Sequence, residues 1–484
     1  MDNNQDNSKD QSNIVINNPS ANASKNEVVY NSSEEKSNPA EFVSDVVSLK
    51  RILSFFVGII VFAVVLLVVI KVLLPNFQKA SPGKITLTYW GLWEDSNVMD
   101  QVLQDFENEH PNIKVNYEKQ DVKSTGKYID RLVTRIGNDT GPDVFRYHNS
   151  WVNQLKPILF PMPLDAVSST ELQTKYYDVI NRDMNSQGAY FGIPLDIDTL
   201  AMFVNTDILK AAGIDTPPTT WDEMQKVSRQ LTVKDDHGRI RTAGVALGTY
   251  DNIDHASDIL SLLFVQNGAN LYDLGGPTKK NAVDALDYYT SFVTSNDSVW
   301  STAMENSKLA FAKGKVAIIF GYSWDLLDVK ALNPKLPVNV YLVPHLPGKY
   351  TTIASYWAEG VSAKSKHPQE AFELIKFLSR KETLSKLYTL ESKQRLFGEL
   401  YPRTDMADLL KYNDLVYPFL VMAKDSVSTP FSSTTYDDSM NSDLNQYLAA
   451  AVNSIVSYHS FSVASAIDTL ASGANQVFSR FQAK

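Results

Sequence analysis

The chain has 484 residues, of which 44% are hydrophobic and 21% charged, and its formal net charge is −10. That length allows two or three domains, and the acidic balance argues against a nucleic-acid-binding surface, which normally requires a basic stripe. The sequence contains no cysteine, which excludes disulfides, thiolate nucleophiles, cysteine zinc sites and lipid attachment through cysteine.

The N-terminal part of the chain predicts a tail and a membrane anchor. Residues 1–51 are rich in Asn, Ser, Asp and Glu, and such a segment cannot bury enough surface to offset the entropy lost on ordering, so we expect disorder. The run at 52–74 is apolar with one charge, Lys71. About 23 helical residues span roughly 34 Å, enough to cross a hydrocarbon core of about 30 Å. We therefore predict a single transmembrane helix over 52–74 and a linker over 75–83.

The orientation of this predicted span depends on its flanking basic residues. Lys50 and Arg51 precede the run, whereas Lys71 and Lys79 lie at or beyond its downstream end. The positive-inside rule mildly favours a cytoplasmic N-terminus. We expect a single-pass protein of the cell membrane with a cytoplasmic tail and an extracellular C-terminal body.

The body begins with strand and helix patterns that alternate. KITLTYWG at 84–91 and NIKVNYE at 112–118 alternate apolar and polar side chains, as half-buried strands do. Between them lies a helix pattern that starts at a cap on Asn97 and ends at Pro111. A strand, a helix and a strand in this order form a βαβ unit, which predicts a parallel sheet covered by helices.

A second series of elements begins after residue 205. TWDEMQKVSRQL at 220–231 and DILSLLFVQNG at 258–268 have helix patterns, whereas AGVALG at 243–248 and GKVAIIFG at 314–321 have strand patterns. Two α/β series on one chain predict two lobes.

The sequence lacks the common catalytic and metal-binding motifs. It has no GxxxxGK[ST] phosphate loop, no HExxH and no GxSxG, and its seven histidines are scattered. We therefore expect a protein that is not an enzyme and that holds no metal or cofactor.

Aromatic and carboxylate residues recur instead near the ends of predicted strands. An aromatic face packs against the apolar side of a sugar ring, and carboxylates and amides accept hydrogen bonds from its hydroxyl groups. Ligands of open α/β sheets bind beyond the carboxyl ends of the strands. Any single tryptophan could equally serve core packing, but the recurrence of the set favours a ligand cleft. The predicted ligand-binding residues are Trp90, Trp93, Glu94, Tyr147, Asn149, Trp151, Asp196, Asp198, Trp324, Asp325, Trp357 and Glu359.

Five stretches of the body carry a family resemblance through their order and spacing. They are GPDVF at 141–145, GIPLDIDTLAMFVNTDILKAAGI at 192–214, PPTTWDEM at 217–224, AFAKGKVAIIFGYSWDL at 310–326 and WAEGVSAKSKHPQEAFELIKFL at 357–378. This ordered set resembles the extracellular solute-binding proteins of ABC transporters, the large family that includes the maltose-binding protein. The resemblance covers residues 84–484, which is the whole body.

The resemblance implies an α/β, two-lobed fold of the type II periplasmic-binding-protein kind, whose lobes are joined by crossing strands. Lobe 1 would comprise about 84–202 and 354–398, and lobe 2 about 203–353 and 399–484. The solute, a carbohydrate or related small molecule, would lie in the cleft and be delivered to the permease subunits of an ABC transporter. No nucleic acid is expected as a partner.

The resemblance also carries roles over to single residues. Asp198 falls where a carboxylate of the crossing segment contacts the sugar, and Tyr147 and Trp324 fall at ring-stacking positions. Thr220 would cap the first helix of lobe 2, with Glu223 completing a capping box.

Two departures from the family matter. Its secreted members are commonly tethered by a lipidated cysteine, and the run at 52–74 would replace that tether here. Where maltose-type proteins have Asp-Arg shortly after the aromatic at the Tyr147 position, this chain has Ser150 and Trp151. Maltose itself is therefore a poor prediction for the solute.

Two alternatives stay open on the sequence alone. A glycoside hydrolase would use Asp196 and Asp198 as acid and base, because residues i and i+2 of a strand share one face with side chains roughly 6–7 Å apart. Hydrolases, however, usually set this pair on different strands. A ligand sensor or adhesion module would instead use the tail at 1–51 to meet a cytoplasmic partner.

Overall fold

The computed structural model describes residues 49–68, 84–121, 127–163, 167–458 and 461–482. The predicted tail, apart from its last three residues, and the predicted linker at 75–83 therefore lie outside the described residues. The chain divides into two compact units, Met1–Ala80 and Ser81–Lys484.

The first unit contributes one described helix, α1 (Leu49–Val68). Within the described ranges, no helix combines the length and the apolar character that a membrane crossing requires. The end of the predicted span, residues 69–74, lies outside the described residues.

The described residues of the second unit form two five-stranded sheets and one two-stranded sheet, which are flanked by helices. The strands are β1 (Ile85–Gly91), β2 (Ile113–Lys119), β3 (Val144–His148), β4 (Asn185–Ser186), β5 (Ala189–Tyr190), β6 (Ile193–Pro194), β7 (Ala201–Asn205), β8 (Val233–Lys234), β9 (Ile240–Val245), β10 (Val316–Gly321), β11 (Val338–Tyr341) and β12 (Trp357–Val361). The α-helices are α2 (Ser96–Glu109), α3 (Tyr128–Gly137), α4 (Val152–Leu155), α5 (Ser169–Lys175), α6 (Asp178–Met184), α7 (Thr206–Ala211), α8 (Trp221–Leu231), α9 (Ala256–Gln266), α10 (Lys279–Thr294), α11 (Ser307–Ala312), α12 (Ser323–Leu332), α13 (Pro368–Leu378), α14 (Lys381–Glu391), α15 (Tyr417–Ala423), α16 (Met440–Ser457) and α17 (Val463–Gln482). Short 3₁₀ helices occupy Asn149–Trp151, Lys156–Ile158 and Thr404–Leu410.

The first sheet has the strand order β2-β1-β3-β12-β6. β1 runs parallel to β2 and to β3, so the predicted βαβ unit of β1, α2 and β2 is confirmed. The sheet is mixed rather than purely parallel, because β12 runs antiparallel to both β3 and β6. The predicted cap at Asn97 is wrong, since α2 begins at Ser96 with Asp95 at its N-cap position.

The second sheet has the strand order β11-β7-β10-β9-β8 and contains the predicted second series of elements. The predicted strands at 243–248 and 314–321 correspond to β9 and β10, which pair in parallel. The helix α8 begins with the predicted capping box. The Thr220 hydroxyl accepts the Glu223 amide at 3.2 Å, and the Glu223 carboxylate accepts the Thr220 amide at 3.2 Å.

The chain passes between the two sheets along segments that lie side by side. Residues 195–200 lead from β6 in the first sheet to β7 in the second, and residues 342–356 lead back from β11 to β12. Thr199 and Ala354 form an antiparallel bridge between these segments, and the Ser355 amide donates to the Asp198 carbonyl at 3.0 Å. Each sheet therefore forms one lobe, and the crossing segments join them as predicted. The lobe boundaries drawn from the resemblance stay predictions.

Candidate functional site

A cavity of about 260 Å³ lies where the two lobes and the crossing segments meet. Its walls combine aromatic rings with carboxylates, the mixture typical of small-molecule sites in which a few polar groups orient the ligand. The lining residues are Trp93, His148, Asp196, Asp198, Ser323, Trp324, Leu327, Asp328, Ser355, Trp357, Arg395, Phe397, Gly398, Glu399, Thr434 and Tyr436. Five predicted ligand-binding residues are in this set: Trp93, Asp196, Asp198, Trp324 and Trp357.

On the side of lobe 1, the wall is built around Trp357, the first residue of β12. Its indole meets three rings edge-on: Trp93 at 5.3 Å between centroids, His148 at 5.0 Å and Trp151 at 5.2 Å. His148 is the cross-strand partner of Trp357 on β3, so the two side chains share one face of the sheet. Trp151 is fully buried behind Trp357. These contacts fix the orientation of the Trp357 ring before any ligand arrives.

On the side of lobe 2, the wall is built around Trp324 at the start of α12. This helix begins directly after β10, so Trp324 stands at the carboxyl end of a sheet strand, as the sequence predicted. Its ring stacks on Tyr322 with centroids 4.5 Å apart and planes inclined by 14°. The buried Tyr322 ring in turn packs edge-on against His255 at 5.0 Å.

Asp198 ties the crossing segment to lobe 2. Its carboxylate accepts hydrogen bonds from the Thr199 amide at 2.8 Å, from the Ser323 amide at 2.9 Å and from the Ser323 hydroxyl. Because Ser323 is the first residue of α12, the carboxylate also lies at the positive end of the helix dipole. Burial nevertheless raises the pKa of Asp198 well above its usual range, although the bonds from Ser323 and Thr199 oppose it.

Asp196 lies on the same crossing segment and faces lobe 1. It accepts the Trp357 amide at 3.2 Å, and its other oxygen is 3.8 Å from the Arg146 guanidinium. Burial raises the pKa of Asp196, the nearby charge of Glu399 raises it further, and Arg146 lowers it. Residues 195–200 form no strand, so the strand geometry assumed for an Asp196–Asp198 acid–base pair is wrong.

Two predicted carboxylates, Glu94 and Glu359, lie behind the lobe 1 wall rather than on it. Both bind the fully buried Arg146: its Nε donates to Glu359 at 2.6 Å, and its Nη1 contacts Glu94. The register places Glu359 opposite Arg146 on neighbouring strands, which explains the pair. The Tyr89 hydroxyl also donates to Glu359, at 2.9 Å. Burial raises the pKa of Glu359 to about 7, although the charge of Arg146 opposes the rise.

Four other predicted residues of lobe 1 also lie outside the cavity lining. Trp90 is buried and donates to Glu118 at 2.8 Å. Tyr147 is fully buried, and its hydroxyl lies 3.6 Å from the Met184 sulfur. The buried side chains of Asn149 and Trp151 complete this set.

The position of Tyr147 follows from strand geometry. Successive side chains of a strand point to opposite faces of the sheet, so on β3 it is the next residue, His148, that reaches the cavity. Asn149 likewise turns inward and donates to Asp183 at 3.0 Å and Ser428 at 2.9 Å.

In lobe 2, the predicted residue Asp325 also lies behind the cavity wall rather than in the cavity lining. It is buried behind Trp324, accepts His255 Nε2 at 2.7 Å and accepts the Lys308 ammonium at 3.0 Å. Although burial opposes the change, the charges of His255 and Lys308 lower the pKa of Asp325 to about 2. Asp325 and Asp258 together raise the pKa of His255 to about 10 against the effect of burial.

The C-terminal part of the chain supplies cavity residues that the sequence did not single out. Arg395 donates to Glu391 at 2.8 Å and to Glu399 at 2.6 Å. Thr434 and Tyr436 adopt left-handed backbone angles, with φ of 58° and 55°, a conformation that costs energy for residues with a side chain. No motif marks these irregular segments, and only folding brings them to the cavity.

One family model, described as "Bacterial extracellular solute-binding protein", matches residues 91–383, more than half of the chain. The multiple sugar-binding protein of Streptococcus mutans is 25% identical over 391 residues, which cover 74% of this chain and 88% of that protein. The family and this relative are binding proteins, which confirms the prediction that the chain is not an enzyme.

Solved structures of similar fold include a sugar-binding protein and a solute-binding protein in complex with a sugar. The sugar-binding protein MalE from Xanthomonas citri has a TM-score of 0.67 and 18% identity, and the match covers 82% of this chain and 98% of that one. An ABC transporter solute-binding protein from Thermotoga lettingae, bound with α-D-tagatose, has a TM-score of 0.61 and 20% identity over 81% of this chain and 99% of that one. These likenesses confirm the mixed α/β, two-lobed fold of the periplasmic-binding-protein type.

Proposed function

This chain belongs to the bacterial extracellular solute-binding proteins, and on that premise we propose that it captures a carbohydrate or related small solute and delivers it to an ABC permease. The observation that carries the proposal is the cavity between the lobes, where tryptophans of both lobes meet buried carboxylates. The name of the Streptococcus mutans relative, a multiple sugar-binding protein, supports a sugar as the solute.

The two tryptophans at the centre of the proposal come from opposite walls. Trp324 belongs to lobe 2 and Trp357 to lobe 1. A sugar that packs against the rings of both tryptophans therefore joins the two lobes. Such a ligand binds the closed arrangement better than the open one, and this difference in affinity is what drives hinge closure. The closed, loaded protein is then the form that the permease receives.

Polar groups of the crossing segments would fix the orientation of the solute. Asp196 and Ser355 line the cavity from the two antiparallel crossings, and His148 lines it from β3. Burial lowers the pKa of His148 to about 3, so its ring is neutral at physiological pH, and its two nitrogens are hydrogen-bonded to Ser150 at 2.8 Å and to Ser355 at 3.0 Å. Asp198 also lines the cavity, and its bonds to Thr199 and Ser323 hold the start of α12, which carries Trp324.

We also propose that the apolar run at 52–74 anchors the protein to the membrane, with the solute-binding body outside the cell. The run itself supports this, as does the absence of a cysteine that could carry a lipid. The test compares the full chain with a variant that lacks residues 52–74. We expect the full chain in the membrane fraction and the deletion variant in the soluble fraction. Recovery of the full chain in the soluble fraction would count against the anchor.

The proposed function is tested by thermal unfolding against mono- and oligosaccharides, polyols and polyamines. A ligand at about 100 times its dissociation constant stabilises the native state by roughly 2.7 kcal/mol, which gives a measurable rise in the unfolding temperature. We expect a rise with at least one carbohydrate, and we expect Trp324→Ala to abolish it.

The matched control for this variant is Tyr412→Ala. Tyr412 is 88% exposed and does not line the cavity, so its loss should leave the ligand-induced rise unchanged. If no carbohydrate in a broad panel raises the unfolding temperature of the unmodified protein, the proposed function is wrong.

A further inference from the structure

The charges that line the cavity are unbalanced. Four carboxylates line it, and the basic side chain among the lining residues is Arg395, since the buried His148 is neutral. The four carboxylates belong to Asp196, Asp198, Asp328 and Glu399. Whether this excess matters depends on which carboxylates already have a basic partner in the protein.

Two of the four carboxylates are paired with basic side chains. Asp328 accepts the Lys308 ammonium at 2.6 Å, and Glu399 accepts the Arg395 guanidinium at 2.6 Å. Neither of these carboxylates requires a charge from the solute. Each lines the cavity with its charge already balanced by a basic side chain of the protein.

Asp196 and Asp198 are not paired in this way. The donors to Asp198 are two backbone amides and a hydroxyl, and in the described part of the chain no basic side chain lies within 4.0 Å of its oxygens. Asp196 has Arg146 at 3.8 Å, but that guanidinium already pairs with Glu94 and Glu359. Two buried carboxylates on one short segment therefore face the cavity without a basic partner of their own.

Burying an ionised carboxylate without a compensating charge is costly, so a neutral solute leaves this imbalance in place. A solute that carries an ammonium group removes it, because the group supplies both the positive charge and hydrogen-bond donors for carboxylate oxygens. The tryptophan faces of the same cavity also attract cations through their ring quadrupoles. Burial raises the pKa of both Asp196 and Asp198, and the charge of Arg146 offsets this only in part at Asp196.

We propose that the solute of this cleft is a carbohydrate that carries a free primary amine, whose ammonium group binds against Asp196 and Asp198. This inference rests on the proposed function and names the class of its solute. The sugar rings would pack on Trp324 and Trp357. The amine would lie on the side of the cavity that the crossing segment 195–200 forms. An N-acetylated sugar of the same size would lack the charge.

The test uses a matched pair of probes, the β-1,4-linked disaccharide of glucosamine and its di-N-acetylated counterpart, with cellobiose as a neutral reference. Dissociation constants are measured by titration calorimetry on the purified protein. We expect the free amine to bind at least tenfold more tightly than either neutral disaccharide. Its dissociation constant should also rise with salt more than those of the neutral probes, because salt screens the attraction between the free cation and the acidic cleft.

Variants locate the preference within the cavity. Asp196→Asn should bring the ratio of amine to N-acetyl affinity close to one, whereas Asp328→Asn should lower it far less, because Asp328 already has Lys308. If the Asp196 variant does not fold, the salt dependence measured on the unmodified protein still tests whether the solute binds through its ammonium charge.

The outcomes separate the inference from the function on which it rests. Equal affinity for the amine and its neutral counterparts overturns the inference and leaves the proposed function standing. Spermidine is titrated beside these probes, and its binding without binding of the amino sugar overturns the carbohydrate part of the inference. No binding of any carbohydrate contradicts the proposed function itself.

Discussion

The two walls of the cleft rest on charge networks whose central buried residues carry opposite charges. In lobe 1, one cation, Arg146, lies between the carboxylates of Glu94 and Glu359. In lobe 2, one carboxylate, Asp325, lies between the bases of His255 and Lys308. Each network lies directly behind the tryptophan of its wall.

The difference appears in the pKa values. In lobe 1, two carboxylates share one cation, and burial raises the pKa of Glu359 to about 7. In lobe 2, Asp325 contacts two bases, and they lower its pKa to about 2 although burial opposes this. Glu359 in the wall of lobe 1 is therefore incompletely compensated, whereas Asp325 in the wall of lobe 2 is compensated by two bases. The two walls should respond differently to mutation and to pH.

The largest effect is expected from Arg146→Met. The change leaves Glu94 and Glu359 buried without their cation, and breaking a buried pair in this way costs about 3–5 kcal/mol of the free energy of unfolding. Urea unfolding at pH 7 measures the loss. Lys308→Met is the matched control from the other wall. The Lys308 side chain is 22% exposed, and Asp325 keeps His255 as a partner when Lys308 is lost, so a smaller loss is expected. Equal losses for the two variants would mean that the walls do not differ as described.

A second effect concerns His255 and alkaline pH. Because its pKa of about 10 in the folded protein exceeds the value of 6.5 usual for the unfolded chain, the folded state retains a proton that the unfolded state releases. The stabilisation is complete below pH 6.5 and is lost as the pH rises through 10, with a slope of at most about 1.4 kcal/mol per pH unit. His255→Gln should lack this slope, as measured by urea unfolding at intervals from pH 6 to 10. Parallel pH profiles for the variant and the unmodified protein would show that His255 is not the group responsible.

A smaller effect in a different pH window is expected from Glu359. Its pKa rises from 4.5 to about 7 on folding, so its contribution favours the folded state below pH 4.5 and is lost as the pH rises through 7. The difference in unfolding free energy between the unmodified protein and Glu359→Gln should therefore change between pH 5 and 7 and be flat above pH 8. Urea unfolding of both proteins at intervals from about pH 4 to pH 9 measures this difference. A change confined to the alkaline range would contradict this assignment.

Local patterns in the sequence were enough to predict the elements of both lobes. Alternation of apolar side chains predicted β1 and β2, and the capping box of Thr220 and Glu223 predicted the start of α8. These features depend on residues a few positions apart, whose interactions the chain carries with it. The sequence also placed aromatic residues at strand ends, and Trp324 and Trp357 do line the cavity.

The tertiary structure decided which of the predicted polar residues face the cavity. Glu94, Glu359 and Asp325 have the residue types of a ligand site, but each is turned towards a buried charge that the fold brings beside it. A carboxylate in a low-dielectric interior takes the partner that removes its uncompensated charge, and that partner lies far away in sequence. The same applies to Arg395 and Tyr436, which reach the cavity from C-terminal segments.

The sequence by itself therefore determined the local elements and the chemistry available to the cleft. Only the folded arrangement decided which charges are paired in the walls and which stay available to a solute.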